Sequence, residues 1–171
     1  TGVDLPGEDR GLLMPLRKWD KFTTTSVPMG QEIAVTPIQI ATAFCTLVNG
    51  GRLIQPRVVL AVIDRDGKVV KDNSRVIDKG QKINPTAAQT IHKLLVGVVT
   101  EGTGKPCNIA KWQVMGKTGT AQVPKIGSGR YEPDAYLGSF VAAAPASDPQ
   151  VVVLVMIRKP KRSIGYYGST V

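Results

Sequence analysis

Gly116-Lys117-Thr118-Gly119-Thr120-Ala121-Gln122 is the sharpest local feature of this 171-residue chain, and how it is read decides the fold. It lies within the run from Trp112 to Val123, which reads as a strand candidate over 112–123. A phosphate-binding loop also ends in Gly-Lys-Thr, but it needs a glycine five residues ahead of Gly116, where Lys111 stands, and a glycine-rich loop rather than a strand leading in. The phosphate reading fails on both counts. On a strand, Lys117 and Gly119 share one face and Thr118 and Thr120 the other. Gly119 then removes a side chain where a substrate backbone must come close, and a threonine N–H can donate to a developing oxyanion. Such a strand suits one edge of a serine acyl-transfer site. The plain alternative is an ordinary strand with a solvated lysine.

Two further strands are expected downstream, over 136–144 and 151–158, the second reached through the tight turn Pro145-Ala146-Ser147-Asp148-Pro149. Short links between three sequential strands predict an antiparallel meander. The run Val151–Ile157 is apolar on both faces, so the last strand is expected to be central and covered on both sides. Upstream, Thr36 is a natural N-cap, Pro37 takes the first helical position and Gln39 completes a capping box. Ile40, Ala41, Phe44, Leu47 and Val48 recur at helical spacing until Gly50-Gly51. Cys45 is expected as a buried thiol on that helix, and neither it nor Cys107 has metal-ligand spacing. Arg57 to Ile63, Asp66-Gly67 and Lys68-Val69-Val70 read as a hairpin with two central turn residues at positive φ. A second helix opens at Asn84-Pro85, carries the stripe Ile91, Leu94, Leu95, Val98 and Val99, and stops at Gly102 and Gly104. The first thirty residues read as an irregular or short-stranded entry. Helices against an antiparallel sheet give an α/β fold of the α+β type.

Hydrophobic residues at 42% and charged residues at 20% exclude global disorder, and 18 glycines with 12 prolines predict many turns. Val151–Ile157, the longest apolar run, is too short to cross a bilayer or form a signal-peptide core. Lys and Arg number 22 against 13 Asp and Glu, for a net charge of +9. The basic residues are scattered, and the one tight cluster is Arg158, Lys159, Lys161 and Arg162. Tyr166 and Tyr167 lie nearby without a nucleic-acid motif, so nucleic-acid binding is not expected.

Several stretches together resemble one family. They are Thr1 to Glu8, Gly30 to Ala41, Asn49-Gly50-Gly51, Glu101-Gly102-Thr103-Gly104, Gly116 to Gln122, Ser139-Phe140-Val141 with Ala144-Pro145, and Tyr166-Tyr167-Gly168. In content and order they resemble the C-terminal part of the transpeptidase domain of class B, monofunctional penicillin-binding proteins. The resemblance spans essentially the whole chain. It implies a partial penicillin-binding-protein or serine β-lactamase-like fold and a D,D-transpeptidase that cross-links peptidoglycan through a serine acyl-enzyme. It also implies the D-Ala-D-Ala stem peptide and β-lactams as ligands, and no cofactor or metal. Carried over, Lys117 lends positive charge, the Thr118 and Thr120 hydroxyls hold the substrate carboxylate, and Gly119 gives close approach. The Thr120 backbone N–H is half of the oxyanion hole, and Gln122 lines the continuing strand.

The nucleophile is missing from this pattern. Three residues after Ser26, Ser74, Ser128, Ser139, Ser147 and Ser163 stand Met29, Ile77, Tyr131, Ala142, Gln150 and Tyr166, so no Ser-x-x-Lys exists, and Ser-x-Asn fails at every serine. Thr90-Ile91-His92-Lys93 copies the spacing on a helix and is read as a decoy, and His92 is the sole histidine. Residues 1–171 are therefore expected to be an incomplete domain, cut after the second motif and before a terminal helix, and inactive alone. In the family the strand after Pro149 pairs with a strand from the domain's N-terminal part, so Val151–Ile157 is expected to self-associate or to be complemented by the missing half. A penicillin-recognising sensor or scaffold of the same fold is the main alternative, and a basic module on wall polymer or anionic lipid a further one. The resemblance also implies a membrane-anchored parent on the extracytoplasmic face.

Overall fold

The computed structural model describes residues 1–125, 127–128, 130–161 and 163–170. In chain order the regular elements are β1 (Leu12–Leu13), α1 (Lys21–Ser26), β2 (Ile33–Ala34), α2 (Pro37–Val48), β3 (Arg52–Ile54), β4 (Ala61–Ile63), β5 (Val69–Asp72), β6 (Asp78–Gln81), α3 (Pro85–Thr100), β7 (Met115–Lys125), β8 (Arg130–Ala144) and β9 (Val151–Arg158). The last three make an antiparallel sheet in the order β7-β8-β9, as the meander pattern predicts. β1 with β2, β3 with β6 and β4 with β5 form three small antiparallel pairs.

The helices start where their caps say. Thr36 Oγ1 accepts from the Gln39 N–H at 3.3 Å, while Gln39 Oε1 accepts from the Thr36 N–H at 2.8 Å. This reciprocal box satisfies two orphan donors at the start of α2. Asn84 caps α3 through Oδ1, 2.9 Å from the Thr86 nitrogen. The end of α3 folds back, with the Gly102 N–H donating to the Gly97 carbonyl at 3.0 Å.

α3 packs on β7 and α2 on β9, so both helices lie on one face of the sheet. Their apolar stripes close a core of Phe44, Leu95, Met115, Val141, Ala143 and Ala146, with Leu47, Ile91, Val152 and Leu154 against it. Register explains the membership: Met115 pairs with Ala143 and Ala143 with Val152, while Val141 pairs with Leu154, so these side chains share the helix-covered face.

Several expectations need correcting. β9 is an edge strand, and its alternate face is open, with Val151, Val153, Val155 and Ile157 exposed by 56, 55, 44 and 39%. Two-sided apolarity did mark a strand fit for two-sided cover, but the described residues place helices on one side only. β7 and β8 run through Pro124 and Pro133, well past the loop boundaries expected at Val123 and Tyr136. The register shifts between Gln122 and Pro124, an irregularity of the kind at which a strand tolerates proline. The hairpin of β4 and β5 turns over Asp64–Lys68 rather than two residues; Gly67 has φ +80°, and the Asp64 carboxylate accepts from the Asp66 and Lys68 N–H groups at 2.9 Å each. Of Arg57–Ile63, only Ala61–Ile63 is paired. Cys45 is exposed, because the helix phase that points Phe44 into the core turns its neighbour outward; partial desolvation still pushes its thiol pKa up. The pairing of β3 with β6, tied by an Arg52–Asp78 ion pair, has no cue in the apolar pattern of Asp78–Gln81.

No helix among the described residues is long and apolar enough to cross a membrane.

Candidate active-site strand

Lys117 to Thr120 lies fully extended within β7, each residue paired with β8 in unbroken register from Lys117↔Val141 to Thr120↔Gly138. β7 is the other edge of the sheet, so among the described residues no strand pairs with its outer side. The segment is a strand and not a phosphate loop.

The side chains of the segment have defined partners. Lys117 is exposed, and its Nζ donates to the Thr118 carbonyl at 2.7 Å. Thr118 Oγ1 lies 2.8 Å from Thr103 Oγ1, on the turn that follows α3. Gly119 stands opposite Ser139, and a Cβ at Gly119 would meet Ser139 Oγ at 2.5 Å, so a larger residue has to displace that hydroxyl. Ser139 Oγ in turn donates to the Gly119 carbonyl at 3.4 Å. Thr120 Oγ1 accepts from the Gly168 N–H at 3.3 Å. Gly168 is wedged against the sheet: a Cβ there would lie 2.0 Å from the Ser139 carbonyl oxygen and 2.6 Å from that of Gly119.

The chain after β9 thus folds back over the strand. It brings Tyr166 onto Tyr136 with ring centroids 4.6 Å apart and Tyr167 onto Tyr166 at 4.4 Å, a stacked series beside Gln122, the cross-strand partner of Tyr136. Past Thr120, a groove of about 590 Å³ opens between β7 and the β1–β2 pair. Leu12, Leu13, Ile33, Ala121, Gln122 and Tyr131 line it, and the Tyr131 hydroxyl donates to Gln31 Oε1 at 3.3 Å. A cavity of about 750 Å³ lies elsewhere, among Asp4, Arg57, Lys71 and Asp72, and none of Lys117 to Thr120 lines it.

A family model described as "Penicillin binding protein transpeptidase domain" matches residues 1–171. The chain belongs to that family. It is 38% identical over 169 residues to stage V sporulation protein D of Bacillus subtilis, covering 99% of this chain and 26% of that protein. Penicillin-binding protein PbpB of Mycobacterium tuberculosis is 32% identical over 170 residues, with 95% and 25% covered. Among solved structures, penicillin-binding protein 3 of M. tuberculosis in its apo form superposes with a TM-score of 0.85 at 33% identity, covering 99% of this chain and 39% of that one. The same protein complexed with aztreonam gives 0.84. The chain therefore spans about a quarter of the length of the curated relatives it matches.

The structure brings Lys117, Thr118, Gly119, Thr120 and Gln122 onto one strand edge, as the motif implies. Thr103, Gly168 and Ser139 join them. Gly102-Thr103-Gly104 and Tyr166-Tyr167-Gly168 were visible as stretches of the family pattern, but nothing local to either says that it touches β7. The Thr90–Lys93 spacing lies within α3, where Thr90 Oγ1 donates to the Thr86 carbonyl and His92 Nε2 sits 2.6 Å from the Ala146 carbonyl oxygen. Both contacts are structural. Among the described residues no serine hydroxyl bonds a lysine or histidine side chain, Ser128 Oγ reaching only the Lys125 backbone carbonyl, and no cluster of His, Cys, Asp and Glu could hold a metal ion. In the basic cluster, Lys159 Nζ and Arg158 Nη2 pair with Glu132 at 2.5 and 3.9 Å, holding the Glu132 carboxyl below its ordinary range; Arg162 lies outside the described residues.

Proposed function

We propose that residues 1–171 form the Lys-Thr-Gly-Thr side of a D,D-transpeptidase site, as part of an incomplete domain. Its substrate is the D-Ala-D-Ala end of a peptidoglycan stem peptide, and β-lactams are its inhibitors. The observation that carries this reading is the extended Lys117–Thr120 segment on an open sheet edge, with Gly119 bare of side chain. A peptide laid antiparallel along that edge gains main-chain hydrogen bonds. The Thr118 and Thr120 hydroxyls hold its terminal carboxylate, Lys117 supplies positive charge, and the Thr120 N–H forms half of an oxyanion hole. Gln122 and the tyrosines beside it flank the next stretch of ligand. That a family relative has been solved with aztreonam and with ampicillin supports β-lactams as ligands.

No serine in the sequence has the Ser-x-x-Lys context, so the nucleophile comes from polypeptide outside these residues. The purified 171-residue chain is expected to form no covalent adduct with a fluorescent penicillin, and an adduct refutes this assignment. Joined to a polypeptide bearing the nucleophile, the site is expected to label, and Lys117→Ala to slow labelling on the order of 10²-fold.

The bare face and free edge of β9 support the same incompleteness. They are the seat of the domain's other half, and alone they drive association between copies. Light scattering tests this: a monomer at all concentrations, unable to bind the complementary half, contradicts it. The working location is the extracytoplasmic face of the cytoplasmic membrane, where peptidoglycan lies.

A further inference from the structure

The turn after α3 carries a residue to which the proposed chemistry assigns no role. Thr103 is exposed, yet the turn beneath it is tightly fixed. The Gly104 N–H donates to the Val98 carbonyl at 2.8 Å, and the Cys107 N–H to the Gly104 carbonyl at 2.8 Å. Gly104 is buried, and a Cβ on it would meet the Val98 carbonyl oxygen at 3.1 Å and Phe140 Cε2 at 3.3 Å. Phe140 is also the cross-strand partner of Thr118. One ring therefore gauges the distance between the turn and the strand, and it leaves Thr103 Oγ1 2.8 Å from Thr118 Oγ1.

A threonine hydroxyl has one hydrogen to give and two lone pairs to receive with. In the unliganded pair either oxygen can be the donor. A carboxylate accepts only, so a carboxylate on β7 removes that freedom. Thr118 must then turn its hydrogen to the ligand and receive one from Thr103. Only one direction of the chain satisfies all groups, and each bond polarises the next.

We propose that Thr103 is a positioning residue that aims the Thr118 hydroxyl hydrogen at an anionic ligand group on β7. This rests on the reading above that Thr118 holds the ligand carboxylate. Thr103 touches no ligand itself; its oxygen fixes the rotor of the hydroxyl that does. It therefore favours ligands with a free carboxylate over the same ligands with that group neutralised.

The test is made in the natural polypeptide that carries these residues together with the nucleophile. The acylation rate constant is measured for benzylpenicillin and for its methyl ester, and the acid-to-ester ratio is the readout. Thr103→Val, which keeps the shape and removes the hydroxyl, is expected to lower the acid rate about three- to tenfold, the factor of one neutral hydrogen bond, and to leave the ester rate unchanged. Thr103→Ser is expected to restore the ratio. In the Thr118→Val background, Thr103→Val is expected to have no further effect. An equal fall for acid and ester, or an unchanged ratio in Thr103→Val where Thr118→Val lowers it, overturns the positioning role. A ratio that Thr118→Val also leaves unchanged overturns the carboxylate assignment on which the proposal rests. Thermal unfolding of each variant separates these results from misfolding.

Discussion

The two faces of the β7-β8-β9 sheet are both apolar, but they live in different surroundings. On one, Met115, Val141 and Ala143 lie under α2 and α3 and are almost entirely removed from water. On the other, Val151, Val153, Val155 and Ile157 stand in solvent. Along β9 the two faces are both apolar, Val152 and Leu154 on the covered side and Val153 and Val155 on the open one, so there composition does not decide burial; the location of the covering element does. The proposed catalytic rim lies on the edge between these faces, next to a covered core and an uncovered surface.

Substitutions sharpen that contrast when ranked by size. The largest effect is expected at Met115, wholly buried among core residues: Met115→Ala should destabilise the chain by about 2–5 kcal/mol in urea unfolding, through lost transfer energy and the cavity left behind. Gly116→Ala comes next, because a Cβ there meets Phe140 Cζ and the Val141 carbonyl oxygen at 2.7 Å each; overpacking of about 1–3 kcal/mol is expected, with the Thr103–Thr118 spacing disturbed as well. Thr36→Ala removes the cap of the helix over β9 and should cost about 1 kcal/mol, read from the same unfolding curves. Val153→Thr on the open face should change the stability of the isolated chain by less than about 0.5 kcal/mol while weakening its association in light scattering. A loss at Val153 comparable to that at Met115 would mean the open face is already covered in solution, and the comparison between the faces would break.

How much was legible follows the range of the interactions. The capping box at Thr36 and Gln39 was readable because donor and acceptor sit three residues apart. The register of Lys117 to Thr120 was readable in part, because a period of two needs only the strand itself. The edge position of β9 was not readable, since it depends on which distant elements come to cover it. The turn over Asp64–Lys68 was misjudged because the Asp64 carboxylate takes the two N–H groups that a tighter turn would have left to the ladder. At the site, the Thr103–Thr118 and Gly168–Thr120 contacts pair hydroxyl and amide groups with no complementarity visible in sequence.

The Gly168–Thr120 bond joins segments 48 residues apart. Contacts of that separation form late, after local turns and neighbouring strands have zipped, because a long loop must close first. β7 and β8 can therefore assemble while the tyrosine turn is still undocked. The sheet then precedes the proposed ligand rim in folding time, and a nascent chain whose end is still held back has the strand but not yet the contact that completes that rim.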